Sequence, residues 1–400
     1  MKVGIIGAGP AGVTAAKIIA QQGVDVTLFS AEKVLPYYRP RLPELAFGNE
    51  QSGDIFMNKL EWYAENGIDL RLDSKVKAFN SEFEITLEDD SQEKFDALLI
   101  AIGGGPILPP FYTKSTSNNV FPFWNYDDAV KIKEKAALSR KMAIIGGGVI
   151  GIETALRASD KGLRIDIIER EAHLMSRNFG KKASEVIETQ LRDRNIDLLL
   201  NDSVVKIDES PDKHTLVGMK NEDGVLCDFV IVSIGAKFDT SMAANAGIKT
   251  DHKIIVDENM QTSSPGIFAA GDIAEFAHPA PCSAKEALQQ GKVAGANILA
   301  YLNNVEMQAY KPEPVPLRLK YKDFEIYSIG EVPKIGAEEK VLDPEDLKVY
   351  RGCIYEGSAL AGVQMVGSNK DIKKYQEQFL LSKVWDKIKG IAHVTGGKKP

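Results

Sequence analysis

Gly7, Gly9 and Gly12 stand at the spacing GxGxxG directly behind the apolar run Lys2–Ile6. That spacing suits a pyrophosphate. The first glycine permits a tight turn, the second lets backbone approach the phosphates, and the third lets the next helix pack on the strand. The helix N-terminus adds unpaired N–H groups and the positive end of its dipole. Gly7-Ala8-Gly9-Pro10-Ala11-Gly12 is therefore a candidate phosphate cradle. Gly146-Gly147-Gly148-Val149-Ile150-Gly151 repeats it behind Lys141–Ile145. The run Arg164–Ile168 then ends in Glu169, where an acid would accept hydrogen bonds from a ribose 2′-OH and repel a 2′-phosphate. A dinucleotide with a free 2′-OH is expected there over one with a 2′-phosphate, with the adjacent cation Arg170 acting against it.

Two such cradles in one chain imply two dinucleotides facing each other. The economical chemistry is hydride transfer between a nicotinamide and a flavin, because the cofactors supply the reactivity and the protein supplies position. Both copies keep all three glycines, which argues against a decayed second copy. Cys227, Cys282 and Cys353 are far apart and form no CxxC or CxxxxC pair, so no redox-active disulfide is expected. Cys282 reads as a buried, inert thiol. The five histidines are scattered, and no metal site is expected.

The elements that must position these residues follow from pattern. Lys2–Gly7 reads as a strand, a helix opens in the glycine turn, and Val24–Phe29 is a second strand. Lys33–Phe47 carries Arg39 between prolines and reads as a shaped loop outside the core. Leu70–Phe79 and Phe83–Leu87 read as strands. Phe95–Ile102 is a continuous apolar run, as a buried parallel strand would be, and it ends at Gly103, where α/β sheets bind ligands. After a crossover at Pro106–Asn119 come a helix at Tyr126–Leu138 and the second copy, in which Lys141, Gly146, Gly151 and Gly162 match Lys2, Gly7, Gly12 and Gly23. Phe229–Ile234, ending at Gly235, mirrors the closing strand of the first copy. Ile254–Val256 and Gly266–Ala270 are short strands, and Ala284–Leu302 is a helix. Beyond the proline linker at Lys311–Pro316, strands at Glu325–Ile329, Lys348–Tyr355 and Leu360–Val366 precede a polar helix at about Asp371–Ile388.

The 400 residues allow two or three domains. A net charge of −7 argues against nucleic acid as a partner. No apolar run is long enough to span a membrane, and Met1 is followed at once by a strand, so a cytoplasmic protein is expected.

With both cradles and the stretch Thr262-Ser263-Ser264-Pro265-Gly266-Ile267-Phe268-Ala269-Ala270-Gly271-Asp272 in place, the chain resembles the flavin-dependent pyridine nucleotide oxidoreductases. The likeness is strong over about residues 1–305. Leu35-Pro36-Tyr37-Tyr38-Arg39-Pro40-Arg41-Leu42 is most similar to the branch holding the NADH:rubredoxin oxidoreductases and the flavin domains of NADH-dependent nitrite reductases. The resemblance implies FAD on Gly7–Gly12 and NAD on Gly146–Gly151, and with Glu169 at the ribose it implies NADH over NADPH. It implies Arg39 on phosphate, Asp272 with Gly271 on the flavin ribityl chain, and Lys33, Val76, Ala101, Gly103 and Gly235 as further cofactor contacts. The N-terminus of the helix at Ala284 would face the flavin pyrimidine end and favour the anionic reduced form. Glu32 is the candidate for the FAD adenosine ribose, since Ser30 replaces the acid that matches Glu169; an exposed loop Glu is the alternative.

The resemblance places Glu153 near the nicotinamide and Glu44 near the flavin, and these are the candidate catalytic residues. Related ferredoxin reductases carry a Lys at the position of Glu44 that pairs with the acid matching Glu153. With two acids, one must point away or be protonated. Electrons that reach the flavin must leave for an external acceptor. The last thirty-one residues carry eight Lys against Asp371, Glu377 and Asp386, a charge suited to an acidic rubredoxin or ferredoxin; a solvated helix face is the alternative. Phe379, Leu380, Val384, Trp385 and Ile388 could instead form a membrane-lying helix, as in a type II NADH:quinone dehydrogenase. A flavin subunit of a larger complex and a non-enzymatic redox-gated binder are further readings, and a homo-oligomer is left open.

The fold expected is α/β, with two Rossmann-like dinucleotide-binding domains and a small α+β C-terminal domain. The FAD domain would comprise residues 1–110 and 239–305, the NAD domain 111–238 and the C-terminal domain 306–400.

Overall fold

A computed structural model describes residues 1–48, 55–115, 117–221, 223–276, 282–333, 338–342, 348–367 and 371–382. Two five-stranded parallel sheets carry the two glycine turns. In the first, Lys2–Ile6 is the central strand, with Asp25–Phe29 and Ile68–Arg71 on one side and Ala97–Ile100 and Ile267–Ala269 on the other. In the second, Lys141–Ile145 is central, flanked by Arg164–Glu169 and Ile196–Leu200, and by Phe229–Val232 and Val120–Pro122. The internal repeat therefore extends to strand order and register: Lys2 faces Asp25 as Lys141 faces Arg164. In both, chain order reverses beside the central strand, and ligands of open α/β sheets bind at that crevice. The central and closing strands are buried on both faces, which explains their unbroken apolar runs.

Each turn leads into an eleven-residue helix, Pro10–Ala20 and Val149–Ser159. Pro10 sits in the first turn, where its missing N–H costs nothing. The helix Ala284–Leu302 lies along Pro10–Ala20 at backbone contact. A Cβ on Gly291 would strike the backbone of Ala11, and one on Gly295 would come within 3.0 Å of Ala15 Cα. This close approach sets the start of the long helix beside the first glycine turn.

The segment between Lys33 and Phe47 departs from the expected loop. Arg39–Arg41 is a 3₁₀ turn, and Leu42–Phe47 is a helix whose Leu42, Leu45, Ala46 and Phe47 join the core of the second sheet's half. Pro43 lies in its first turn, so proline here starts a helix rather than breaking one. The single strand expected over Leu70–Phe79 is two strands, Ile68–Arg71 and Val76–Phe79, in different sheets, with Asp73 at φ 51° between them. Val204–Glu209, Thr215–Met219 and Val225–Cys227 form an antiparallel meander that pattern did not reveal.

The two connections between the sheet systems pair with each other, Gly105–Pro106 antiparallel to Ala236–Lys237. Leu317–Tyr321, Phe324–Gly330, Ala359–Val366, Tyr350–Glu356 and Glu338–Val341 make a five-stranded antiparallel sheet in that order. Residues 372–382 are helical, and Phe379 is buried against this sheet. Val384, Trp385, Ile388 and the rest of the expected basic helix lie outside the described residues. No helix among the described residues is long and apolar enough to cross a membrane.

Candidate functional site

Both glycine turns open into one continuous cleft of about 2260 Å³. Gly7 and Gly146 have φ of +108° and +112°, and a Cβ on either would collide with the closing strand or its exit, at Ala101 and at Ser233. Only glycine fits there. Their N–H groups donate to Phe29 and Ile168 carbonyls at 2.9 and 2.8 Å, which ties each turn to its neighbouring strand. Gly12 and Gly151 face Gly7 and Gly146 across the turn and have no room for a side chain. Gly9 and Gly148 differ: nothing lies within 4 Å of a Cβ built on either, because that side faces the cleft. Neither helix has a side-chain cap at its start, so its first N–H groups are left for a ligand.

The first half of the cleft gathers Gly7, Ala8, Gly9, Pro10, Ala11, Glu32, Arg39, Val76, Ala101, Gly103, Gly271 and Asp272. Arg39 is held by stacking on Trp124, 4.5 Å from guanidinium carbon to ring centroid. Trp124 is itself fixed, its Nε1 donating to the Gly104 carbonyl at 3.0 Å and its backbone N–H to Asp128 at 3.0 Å. The Arg39 Nε is buried without a partner, an arrangement that an incoming anion would satisfy. Burial pushes the Asp272 carboxyl up, and Arg39 and Lys253 pull it back. Glu32 accepts from the Tyr37 hydroxyl at 2.9 and 3.1 Å, and that hydroxyl accepts the Tyr126 N–H at 3.1 Å. Burial and then Glu32 push the Tyr37 hydroxyl well above its usual range. Lys33 stands apart: it faces Asp73 at 3.7 Å on the surface and does not line the cleft.

The second half gathers Gly146, Gly147, Gly148, Val149, Ile150, Glu153, Glu169, Arg170 and Gly235. Glu169 is oriented by two backbone donors, Gly147 N–H at 2.7 Å and Glu171 N–H at 2.9 Å. Arg170 points to Glu171 at 3.0 Å.

Glu44 and Glu153 show how two acids share this region. Arg41 forks onto Glu44 at 2.9 and 3.1 Å, and Arg157 holds Glu153 from the same helix at 3.0 Å. The two pairs feel each other, since Arg157 pulls the Glu44 carboxyl down and Glu44 pushes the Glu153 carboxyl up. The Arg41 bond dominates at Glu44, whose carboxyl is lowered, and burial dominates at Glu153, whose carboxyl is raised. Each acid thus has its own arginine, an arrangement the sequence reading did not consider. Glu153 lines the cleft and Glu44 does not.

Ser283 caps the helix Ala284–Leu302, accepting the Glu286 N–H at 3.2 Å, and Ser283, Ala284 and Ala287 reach the cleft. Cys282 corrects an expectation: it is exposed at the cleft wall rather than buried. Lys253 donates to its sulfur at 3.5 Å, yet the surrounding protein and then Asp272 push the thiol up, away from the thiolate that a nucleophile needs. Trp124 was missed as a site residue because its role comes from Arg39, far away in sequence; Tyr37 and Arg157 were missed although Glu32 and Glu153 lie only five and four residues from them. So were Arg318, Gly330 and Ala361 of the C-terminal sheet, which close one side of the cleft.

The buried orphan at Arg39, the uncapped helix starts and the open faces of Gly9 and Gly148 all fit two dinucleotides. The profile of a family described as pyridine nucleotide-disulphide oxidoreductase matches residues 1–291. NADH-rubredoxin oxidoreductase of Clostridium acetobutylicum is 30% identical over 98% of this chain and 97% of its own length. A nitrite reductase [NAD(P)H] of Bacillus subtilis is 26% identical over 92% of this chain, which spans only 46% of that protein. The crystal structure of NADH:rubredoxin oxidoreductase from Clostridium acetobutylicum superposes with a TM-score of 0.77 and 27% identity, covering 94% of this chain and 93% of that one.

Proposed function

The chain belongs to the pyridine nucleotide-disulphide oxidoreductase family, and from that premise we propose an FAD-dependent enzyme that oxidises NADH and passes the electrons to a small carrier protein, rubredoxin first. The observation that carries this reading is the single cleft joining both glycine turns, walled by no pair of cysteines. When both cofactors are bound, the nicotinamide supplies a hydride and the flavin accepts it. The chain's own residues bind and orient. Gly7–Ala11 and the Arg39 fork hold the FAD phosphates, Glu32 the adenosine ribose and Asp272 the ribityl chain. Gly146–Ile150 hold the NADH phosphates and Glu169 its ribose diol. The N-terminus of Ala284–Leu302 places its positive end beside the flavin, where it favours negative charge. Glu153, held in place by its hydrogen bond from Arg157, shapes the nicotinamide end. Orientation is the main contribution, and no acid or base is required.

All three cysteines are free, so electrons have no disulfide to enter and must leave the chain. The Lys-rich sequence 370–400 favours an acidic carrier; of it, only residues 371–382 are described. The domain division 1–110 with 239–305, 111–238 and 306–400 is supported by the membership of the three large sheets and by the paired connections at Gly105–Pro106 and Ala236–Lys237. Anaerobic addition of NADH to the purified protein tests the cofactor half of this proposal. A bound flavin whose absorbance bleaches at once supports it, and a protein that takes up no flavin when FAD is supplied, or whose bound flavin stays oxidised, overturns it.

A further inference from the structure

The sequence Ser283-Ala284-Lys285-Glu286 has the capping-box spacing, in which the fourth residue's carboxylate returns to the N-cap N–H. Only half of that box forms. Ser283 Oγ accepts the Glu286 N–H, but the Glu286 side chain turns inward and is left only 4% exposed. There its Oε1 accepts the Tyr310 hydroxyl at 3.2 Å, with the Gln290 side-chain amide at 3.5 Å, while its Oε2 is buried without a partner. A carboxyl that gives up a capping bond for a desolvated place needs a reason.

Gln290 supplies it. Its Oε1 accepts the Gly271 N–H at 2.7 Å, and Gln290 is itself buried. A backbone N–H can only donate, so Gln290 must turn its oxygen to Gly271 and its NH₂ group to the other side. That other side holds acceptors, the Glu286 carboxyl and the Tyr310 oxygen. If the amide flipped, an N–H would face the Gly271 N–H and an oxygen would face the carboxylate. The peptide it holds enters Gly271, a residue at φ +80° whose successor Asp272 faces the cleft. Tyr310 closes the set from the start of the linker to the C-terminal sheet, anchored by its N–H to the Glu258 carbonyl.

We propose that Glu286 is a positioning residue for the flavin site: through Gln290 it fixes the Gly271 amide and thereby aims Asp272 into the cleft. The proposal rests on the reading of Asp272 as a flavin contact. It assigns a task to a side chain that does not line the cleft.

The test is the dissociation constant of FAD from reconstituted apoprotein, together with the apoprotein's melting temperature. Gln290→Ala is expected to weaken FAD about tenfold by freeing the Gly271 turn. Glu286→Ala is expected to weaken it by a similar factor, and the double variant by no more than Gln290→Ala alone, because both act through one hydrogen bond. Glu286→Gln keeps an oxygen for the Gln290 amide and is expected to stay within about threefold of wild type. Multiplied effects in the double variant would overturn the proposal. So would a lowered apoprotein melting temperature in Glu286→Ala with an unchanged FAD constant, which is the mark of a merely structural role. Asp272→Ala separates the two readings. If it leaves FAD binding unchanged, the assignment of Asp272 fails and the relay with it; if it weakens FAD while Glu286→Ala and Gln290→Ala do not, the relay alone fails.

Discussion

Replacing Glu169 by Ala should shift the enzyme from NADH towards NADPH. Its carboxylate is held at the cleft wall by the Gly147 and Glu171 N–H groups, at 2.7 and 2.9 Å. Its direction is therefore fixed, and it cannot swing away from a 2′-phosphate. Like unit charges about 4 Å apart repel by roughly 1 kcal/mol in water and about 4 kcal/mol at an effective dielectric near 20. A half-buried position lies between these limits, at about 2–3 kcal/mol, or roughly 30- to 150-fold. Arg170 adds little to the balance in the wild type, because its guanidinium is engaged with Glu171 at 3.0 Å. Glu169→Ala also frees two backbone donors, so NADH itself should bind less well, and the quantity to read is the ratio of kcat/KM for NADH to that for NADPH. The assay is steady-state reduction of a saturating acceptor with each nucleotide at one ionic strength, with a melting curve as control. The ratio should fall by about fifty-fold in Glu169→Ala, and by somewhat less in Glu169→Gln, which keeps an acceptor. An unchanged ratio in a variant that still melts as wild type would refute the assignment of Glu169 to the ribose.

Gly9→Val and Gly148→Val should fold, since φ is −77° and −84° and no atom obstructs a Cβ. The first should lose FAD and the second should raise the KM for NADH at least tenfold while retaining flavin, as flavin absorbance and kinetics would read. Arg157→Met leaves Glu153 in its buried place without a partner. Burial holds the Glu153 carboxyl above its usual range and Arg157 counters that, so the folded state binds a proton more readily than the unfolded chain. Stability from this group is present below the unfolded carboxylate range and is lost as pH rises through the raised folded value. The variant should therefore be nearly as stable as wild type in acid and about 3 kcal/mol less stable at neutral pH, measured by denaturant titration at both. If the basic C-terminal sequence steers an acidic carrier, the rate of carrier reduction should fall steeply from low to high ionic strength, and a flat rate would remove steering from the account.

The parts of this site legible in the sequence are those fixed by local geometry. Gly7 and Gly146 must be glycine because their φ is positive and a closing strand presses on them, and such constraints leave a spacing that reads directly. Glu169 was legible because it ends a strand a fixed distance from its turn. The helix Ala284–Leu302 was legible to the residue, and the structure adds its Ser283 cap. Leu42–Phe47 was misread because Pro43 breaks helices in their interior but starts them in the first turn. Exposed Cys282, the stacking of Trp124 on Arg39, and the Arg157 pair beside Glu44 depend on chain segments brought together only by the fold.

The proposed mechanism sends electrons from the flavin to a small carrier protein outside the chain. It is tested most directly by anaerobic stopped-flow with NADH and a panel of rubredoxin, ferredoxin, a soluble quinone and, in a separate aerobic run, oxygen. Rubredoxin should reoxidise the NADH-reduced protein fastest, with ferredoxin next and oxygen and quinone far behind. Equal or faster reoxidation by quinone or oxygen, with neither carrier protein reduced, would contradict it.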